Sequence, residues 1–200
     1  SRETVMAMVD GRIWPPYEAF YINGMLFNAQ SAFRSIARIS HAFETLPEAA
    51  MEEGIDRALT HNILNDLQNI IVHGAALSRY FWPVRKGHAE RGVHLRDSLN
   101  IDENNPLFSR DLRNAIEHFD ERLDRYLSEG IVGVVIPEYV GPKPSDDGVP
   151  GHLFRAFFTD IGVFRLLDSD HEMDPIVAEI IRIKELLETA DENGGKLPTA

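Results

Sequence analysis

Between Tyr17 and about Glu44, the apolar residues Phe20, Leu26, Ala29, Phe33 and Ile36 recur at spacings near three and four, the period of one face of an α-helix. Pro15-Pro16 closes an irregular opening just before them. A second stripe, Ile55, Leu59, Ile63, Leu67, Ile70 and Leu77, predicts a second long helix. Its start is expected at Thr45-Leu46-Pro47-Glu48, which has the form of a capping box. Its end is expected at Pro83, which removes a backbone donor and disfavours helix at Trp82. Residues 84–105 are mixed and leave room for one short helix. Asn105-Pro106 then starts a further helix, asparagine capping and proline at the first position, expected to run unbroken to about Ser128, before Gly130.

After Gly130 the texture changes. Ile131-Val132-Gly133-Val134-Val135-Ile136 is β-branched, and residues 141–151 hold three prolines and three glycines, which predicts a loop. Two short apolar runs, His152–Thr159 and Val163–Asp168, flank Asp160-Ile161-Gly162 and predict a β-hairpin. Asp174-Pro175 starts a last helix with Ile176, Ile180, Ile183 and Leu187 on one face, and residues 191–200 read as a frayed tail. No internal repeat is visible. The expected architecture is mostly α: an up-and-down helical bundle over residues 1–130, then an extension over 131–200 with a β-hairpin, a final helix and a flexible tail.

Composition narrows the chemistry. At 200 residues, 44 % apolar and 26 % charged, the chain is long and apolar enough for a core, which excludes low-complexity and wholly disordered classes. It has no cysteine, so disulfides, thiolate metal sites and thiol nucleophiles are excluded together. Twenty basic against 32 acidic residues leave a net charge of −12, which repels nucleic acid and anionic membranes unless positive charge is concentrated locally. No apolar run approaches the roughly 18–20 residues of a bilayer span, and Ser1-Arg2-Glu3-Thr4 lacks the order of a signal peptide. A cytoplasmic location without membrane attachment is the expectation.

Projected as a helix, residues 112–127 separate into two faces. Leu112, Ala115, Ile116, Phe119, Leu123, Tyr126 and Leu127 form an apolar stripe; Arg113, Asn114, Glu117, His118, Glu121 and Arg125 lie opposite. Asn114 and His118 are four apart and so neighbours on a helix, and the long Arg113 side chain can approach the same patch. The plain alternative is a solvated face with Arg113–Glu117 and Glu121–Arg125 pairs.

The run Leu112-Arg113-Asn114-Ala115-Ile116-Glu117-His118 resembles the signature of HEPN domains, helical bundles whose late long helix carries an arginine, a following polar residue and a histidine four to six positions on. The order of elements agrees over about residues 17–130. Asp120 stands where one antitoxin-paired group of HEPN toxins carries a tyrosine, a departure from that group. The resemblance implies a metal-independent endoribonuclease without cofactor, its site commonly assembled where two protomers meet, so that a homodimer is expected with Arg113, Asn114 and His118 catalytic. The parts suit the chemistry: an imidazole exchanges protons near neutral pH, a guanidinium neutralises charge building on a phosphorane, and the RNA's own 2′-hydroxyl attacks. Many HEPN-like domains are noncatalytic, and a helical bundle that binds another protein is the alternative.

Two more features bear on RNA. Residues 79–96 contain Arg79, Arg85, Lys86, Arg91 and Arg96 against one acid, Glu90, with His88, His94 and Tyr80-Phe81-Trp82 among them. Arg79, Arg85, Lys86 and Arg91 are the candidate RNA contacts, with a ring to stack a base; the alternative is a helix end whose aromatics are core and whose arginines meet nearby acids. Asn62, Asp66, Asn69 and His73 form a stripe rich in amides beside the apolar face of the second helix, suited to a half-buried interface or a structural hydrogen-bond ladder. His-Glu-x-x-His, paired Glu-x-x-His, phosphate-loop and Gly-x-Ser-x-Gly signatures are all missing, so no metal site is assigned.

Overall fold

The computed structural model describes residues 8–146, 148 and 151–199; seven residues of the irregular opening, three of the loop before His152 and the last of the tail lie outside them. Helix α1 spans Pro15–Thr45 and opens at its two prolines, whose missing N–H groups fall where a helix has no internal partner. Just before it, β1 (Met8–Val9) and β2 (Arg12–Ile13) form a small antiparallel ribbon in the stretch read as irregular. The capping box at Thr45 is a correction. Its hydroxyl donates back to the His41 carbonyl at 2.8 Å, the one-turn helix α2 (Ala50–Glu53) follows, and the second long helix, α3 (Arg57–Phe81), begins only beyond that turn. Asp56 caps α3, its carboxylate accepting from the amides of Ala58 and Leu59 at 2.9 and 3.1 Å, a stronger cap than a threonine already occupied by the helix behind it.

Trp82-Pro83 ends α3 as expected, and α4 (Ala89–Leu99) turns back across that end. Gly92 permits the crossing: a Cβ there would stand 2.6 Å from both the Phe81 carbonyl oxygen and Pro83 Cδ. The unbroken helix expected from Pro106 to Ser128 is a second correction. The segment divides into a 3₁₀ turn (Pro106–Phe108), α5 (Arg110–Asn114) and α6 (Phe119–Ser128), with a turn over Ala115–His118 between the last two.

The hairpin is present as β4 (Gly151–Phe158) and β5 (Val163–Leu166), turning through Gly162 at φ 64°. It is the middle of a larger sheet. β6 (Ser169–Glu172) pairs antiparallel with β5, and β3 (Val134–Gly141) pairs parallel with β4, giving the order β3-β4-β5-β6. One sheet face meets the bundle, with Phe157 6.0 Å from Phe43 of α1 and Phe164 and Leu166 fully buried. α6 touches β4: Phe119 lies 5.9 Å from Phe154, and the Tyr126 hydroxyl donates to His152 Nδ1 at 2.8 Å.

The last helix, α7 (Met173–Glu192), is a member of the bundle. Ile176, Ile180, Ile183 and Leu187 share one core with Ile22, Met25 and Ala29 of α1 and Ile63, Leu67 and Ile70 of α3. Arg182 of α7 donates to the Leu99 carbonyl at 3.0 Å and pairs with Glu179, which accepts from the Asn105 amide at 2.6 Å. The tail read as frayed is packed through Leu197, buried and donating its amide to Glu18 at 2.7 Å, because α7 ends beside the start of α1.

Ile180→Ala is therefore expected to cost about 2–5 kcal/mol, the range for truncating a fully buried aliphatic side chain. Trp14 and Trp82 both lie before residue 131, so tryptophan fluorescence and far-UV dichroism in urea should report one shared transition at a lowered midpoint. A fluorescence transition left in place while dichroism shifts would show that the C-terminal region unfolds alone.

Candidate functional site

The helix break runs through the sequence motif. Arg113 and Asn114 end α5, and His118 precedes α6 with φ −126° and ψ 38°. Ala115 donates to the Leu112 carbonyl at 3.4 Å and Phe119 to the Ile116 carbonyl at 3.3 Å, so the chain closes by three-residue steps here. Asn114 and His118 are consequently not helical neighbours. The helical pairs drawn from sequence are replaced as well: Glu117 pairs with Arg79 of α3, and Glu121 faces His118 Nδ1 at 3.6 Å. His118 is 58 % exposed at its side chain.

Arg113 points elsewhere. With Arg79, Val72, Ala76, Ile116 and Glu117 it lines a hollow of about 200 Å³ between α3 and α5. The Arg113 guanidinium lies 5.9 Å from the Phe108 ring centre, and its Nε is buried with no hydrogen-bond partner among the described residues. This hollow is below the roughly 300–1,000 Å³ of small-molecule pockets, so it has room for one charged group and not for a whole nucleotide.

The basic island divides in two. Arg91 lies 5.7 Å from the ring centres of both Tyr21 and Tyr80, and burial lowers its pKa. Arg96 donates to the Phe81 carbonyl and stacks 5.8 Å from Trp82. These arginines close the α3–α4 corner, and the rings between them are partly core: Phe81 is fully buried and Trp82 nearly so. Arg85 and Lys86 are exposed beside the 3₁₀ turn Lys86–His88, the part of the island open to an anion. Of the four candidates, Arg85 and Lys86 are exposed, Arg79 pairs with Glu117, and Arg91 lies beside the two tyrosine rings.

Asp66, Asn69 and His73 of the amide-rich stripe of α3 form a ladder between the two long helices, and Asn62, its first member, is exposed. Asp66 accepts from Arg38 Nε at 3.0 Å on both oxygens, Ser35 accepts from both Arg38 and Asn69, and His73 meets Asn28 at 2.9 Å. Asn28 already donates to the Gly24 carbonyl, which leaves its amide oxygen to accept from His73 Nδ1. His94 accepts the Ile13 amide at 2.9 Å on Nδ1 and so pins β2 to α4. Among the described residues no three His, Asp or Glu side chains gather to hold a metal ion.

Two residues passed over in the sequence matter most. Arg122 of α6, 14 % exposed at its side chain, donates to the carbonyls of Ala115 (3.3 Å) and Leu166 (3.0 Å), to Asp168 (2.7 Å) and to Ser169 (2.8 Å). His171 of β6 is buried with Nε2 unpartnered among the described residues. A signal for Arg122 was present: it is three residues from Phe119 and four from Tyr126, an arginine set into an apolar stripe. Nothing in the local sequence marks His171. Comparison with known protein families, with curated proteins and with solved structures finds no match to this chain.

Burial lowers the pKa of His73, His94 and His171, with Arg122 adding to the effect at His171 and Arg12 at His94. Below the ordinary imidazole value near 6.5 the unfolded chain binds protons that the folded chain refuses, so stability is full above about pH 6.5 and falls as pH drops. Melting temperature should decline between about pH 7 and 5, before the carboxylates titrate, and His171→Leu should flatten that decline. A flat wild-type profile over this interval would contradict the assignment.

Proposed function

We propose that this chain is a HEPN-like helical bundle that acts on RNA, with Arg113, Asn114 and His118 as its reactive segment. The observation that carries the reading is the hollow between α3 and α5: two arginines, Arg79 and Arg113, line one small space together with Glu117, immediately before Asn114 and the turn to His118. Its size suits a single charged group, and Arg113 Nε, buried without a partner among the described residues, would need the guanidinium to turn toward the hollow to meet one. The order of elements supports the same reading, since α1 and α3 pack along each other, α4 follows, and α5 then packs on α3. The reaction is attack of the 2′-hydroxyl on the adjacent phosphorus with release of the 5′-oxygen. His118 moves the proton and Arg113 offsets the developing charge. A second copy of the chain completes the site, because His118 faces solvent in one protomer.

The noncatalytic protein-binding reading is favoured by a different observation. Glu117 already neutralises Arg79, and the sheet edge formed by β3 exposes Val134, Val135 and Ile136 in a chain of net charge −12.

Cleavage assays separate the two. His118→Ala and Arg113→Ala should each lower RNA cleavage by roughly a hundredfold or more, with chelator without effect, cyclic-phosphate ends on the product and no cutting at a 2′-deoxy position. The active species should be a dimer burying about 1,200 Å² or more. If Arg85 and Lys86 hold phosphates, replacing both by alanine should flatten the salt dependence of RNA affinity by about one unit or more. Pure protein with no RNA affinity at low salt, or activity intact in both alanine variants, would overturn the ribonuclease reading.

A further inference from the structure

Residues 110–128 contain neither glycine nor proline, and their apolar positions keep helical spacing throughout, yet the helix stops for four residues in the middle of the motif. A break in such a sequence needs a cause outside it. In an unbroken helix the Ala115 carbonyl would accept from the Phe119 amide. Here the Phe119 amide bonds to Ile116, and Arg122 Nη1 takes the Ala115 carbonyl. The same guanidinium reaches the β5–β6 turn through the Leu166 carbonyl, Asp168 and Ser169, so one side chain joins the broken segment to the sheet. Phe119 on Phe154 and Tyr126 on His152 hold α6 in the matching direction.

We propose that Arg122 is an autoinhibitory latch: bound to the β5–β6 turn it keeps the motif helix broken, and its release lets residues 110–128 join into one helix. The joined helix sets Asn114 and His118 one turn apart on a single face, while Arg113 points about 100° and 140° around the helix from them and approaches that face through its long side chain. A ligand that engages these three residues together binds the joined form better, and so competes with the latch. Arg122 makes its hydrogen bonds to the turn before α6 and to the β5–β6 region and none to α1, α3 or α7. The consequence for RNA rests on the function proposed above; the structural claim rests on backbone and side-chain geometry alone.

The test uses the full chain and nuclear magnetic resonance. Asp168→Ala combined with Ser169→Ala removes two acceptors of the latch from a turn and leaves every motif residue in place; Asp168 is 62 % exposed at its side chain. The expected result is a gain of helical Cα shifts at residues 115–118 and slowed exchange of the Phe119 amide. RNA affinity should rise by roughly fivefold or more, the lower end of ordinary coupling between sites. Asp120→Pro works in the opposite sense. It suits the first turn of α6, as Pro175 suits that of α7, but cannot sit inside a continuous helix, so it should abolish both gains when added to the double variant.

A folded double variant with unchanged shifts at residues 115–118 overturns the latch, as does a wild type that already shows a continuous helix there. Helical shifts without any change in RNA binding or cleavage uphold the latch and count against the RNA reading instead. Should the double variant fail to fold, Arg122→Gln in the otherwise intact chain reads the same shifts: a gain of helix at residues 115–118 upholds the latch, and unchanged shifts overturn it.

Discussion

A carboxylate taken out of water has to be met by a cation, and in this protein that requirement sets the alignment of its two longest helices. Asp66 lies on the side of α3 that faces α1, with 9 % of its side chain exposed, and Arg38 grips both of its oxygens. Sliding α1 along α3 by a single turn would strand the carboxylate, at a cost that the interchangeable apolar contacts around it would not repay. Ser35, Asn69, Asn28 and His73 extend the same seam toward the other end of α3. With α1 and α3 in register, α7 fills the space beside them, α5 packs on the outer side of α3, and the sheet closes over Phe43 and Phe157.

The Arg113–His118 segment sits where that scaffold is loosely closed. α5 and the turn after it are held through Leu112 and Ala115, both buried, whereas α6 buries no residue fully and is fastened by Arg122, Phe119 and Tyr126. Two demands compete over four residues: the helical preference of the local sequence and the pull of a buried guanidinium toward the acceptors at the β5–β6 turn. A guanidinium at 14 % exposure must find acceptors, while helical propensity is worth little for each of four residues, so the guanidinium prevails. Local propensity is a small bias beside the satisfaction of a buried charge.

The basic island illustrates the same principle on the surface. A count of arginines suggests a patch for phosphate, but a guanidinium is also the side chain best able to stack on rings and close carbonyls. Arg91 and Arg96 do this at the α3–α4 corner, and Arg79 meets Glu117 across to the turn after α5. Charge that was clustered in sequence is divided by the fold into structural and exposed portions.

What the sequence determined by itself was whatever depends on neighbours along the chain. The apolar periods of α3 and α7, the stop at Pro83, the β4–β5 hairpin and the start of the last helix near Asp174-Pro175 were legible, since each follows from spacing, a missing donor or a fixed φ, whereas the stripe read for α1 took in Phe20 and Phe33, which are exposed, and Pro106 opens only a 3₁₀ turn. Cap identity was less so: Thr45 and Asp56 both satisfy the local rule, and only the placement of the α1 end, which occupies Thr45, decides between them. The amide stripe on α3 was visible as a pattern, but its partners Ser35, Arg38 and Asn28 come from a helix 28 to 45 residues away. The parallel partner of β4, the docking of the tail on Glu18, the burial of His171 and the division of the Arg113–His118 segment belong wholly to the tertiary structure. Each depends on a hydrogen-bond or packing partner remote in the chain, and no local period encodes where a buried polar group will find one.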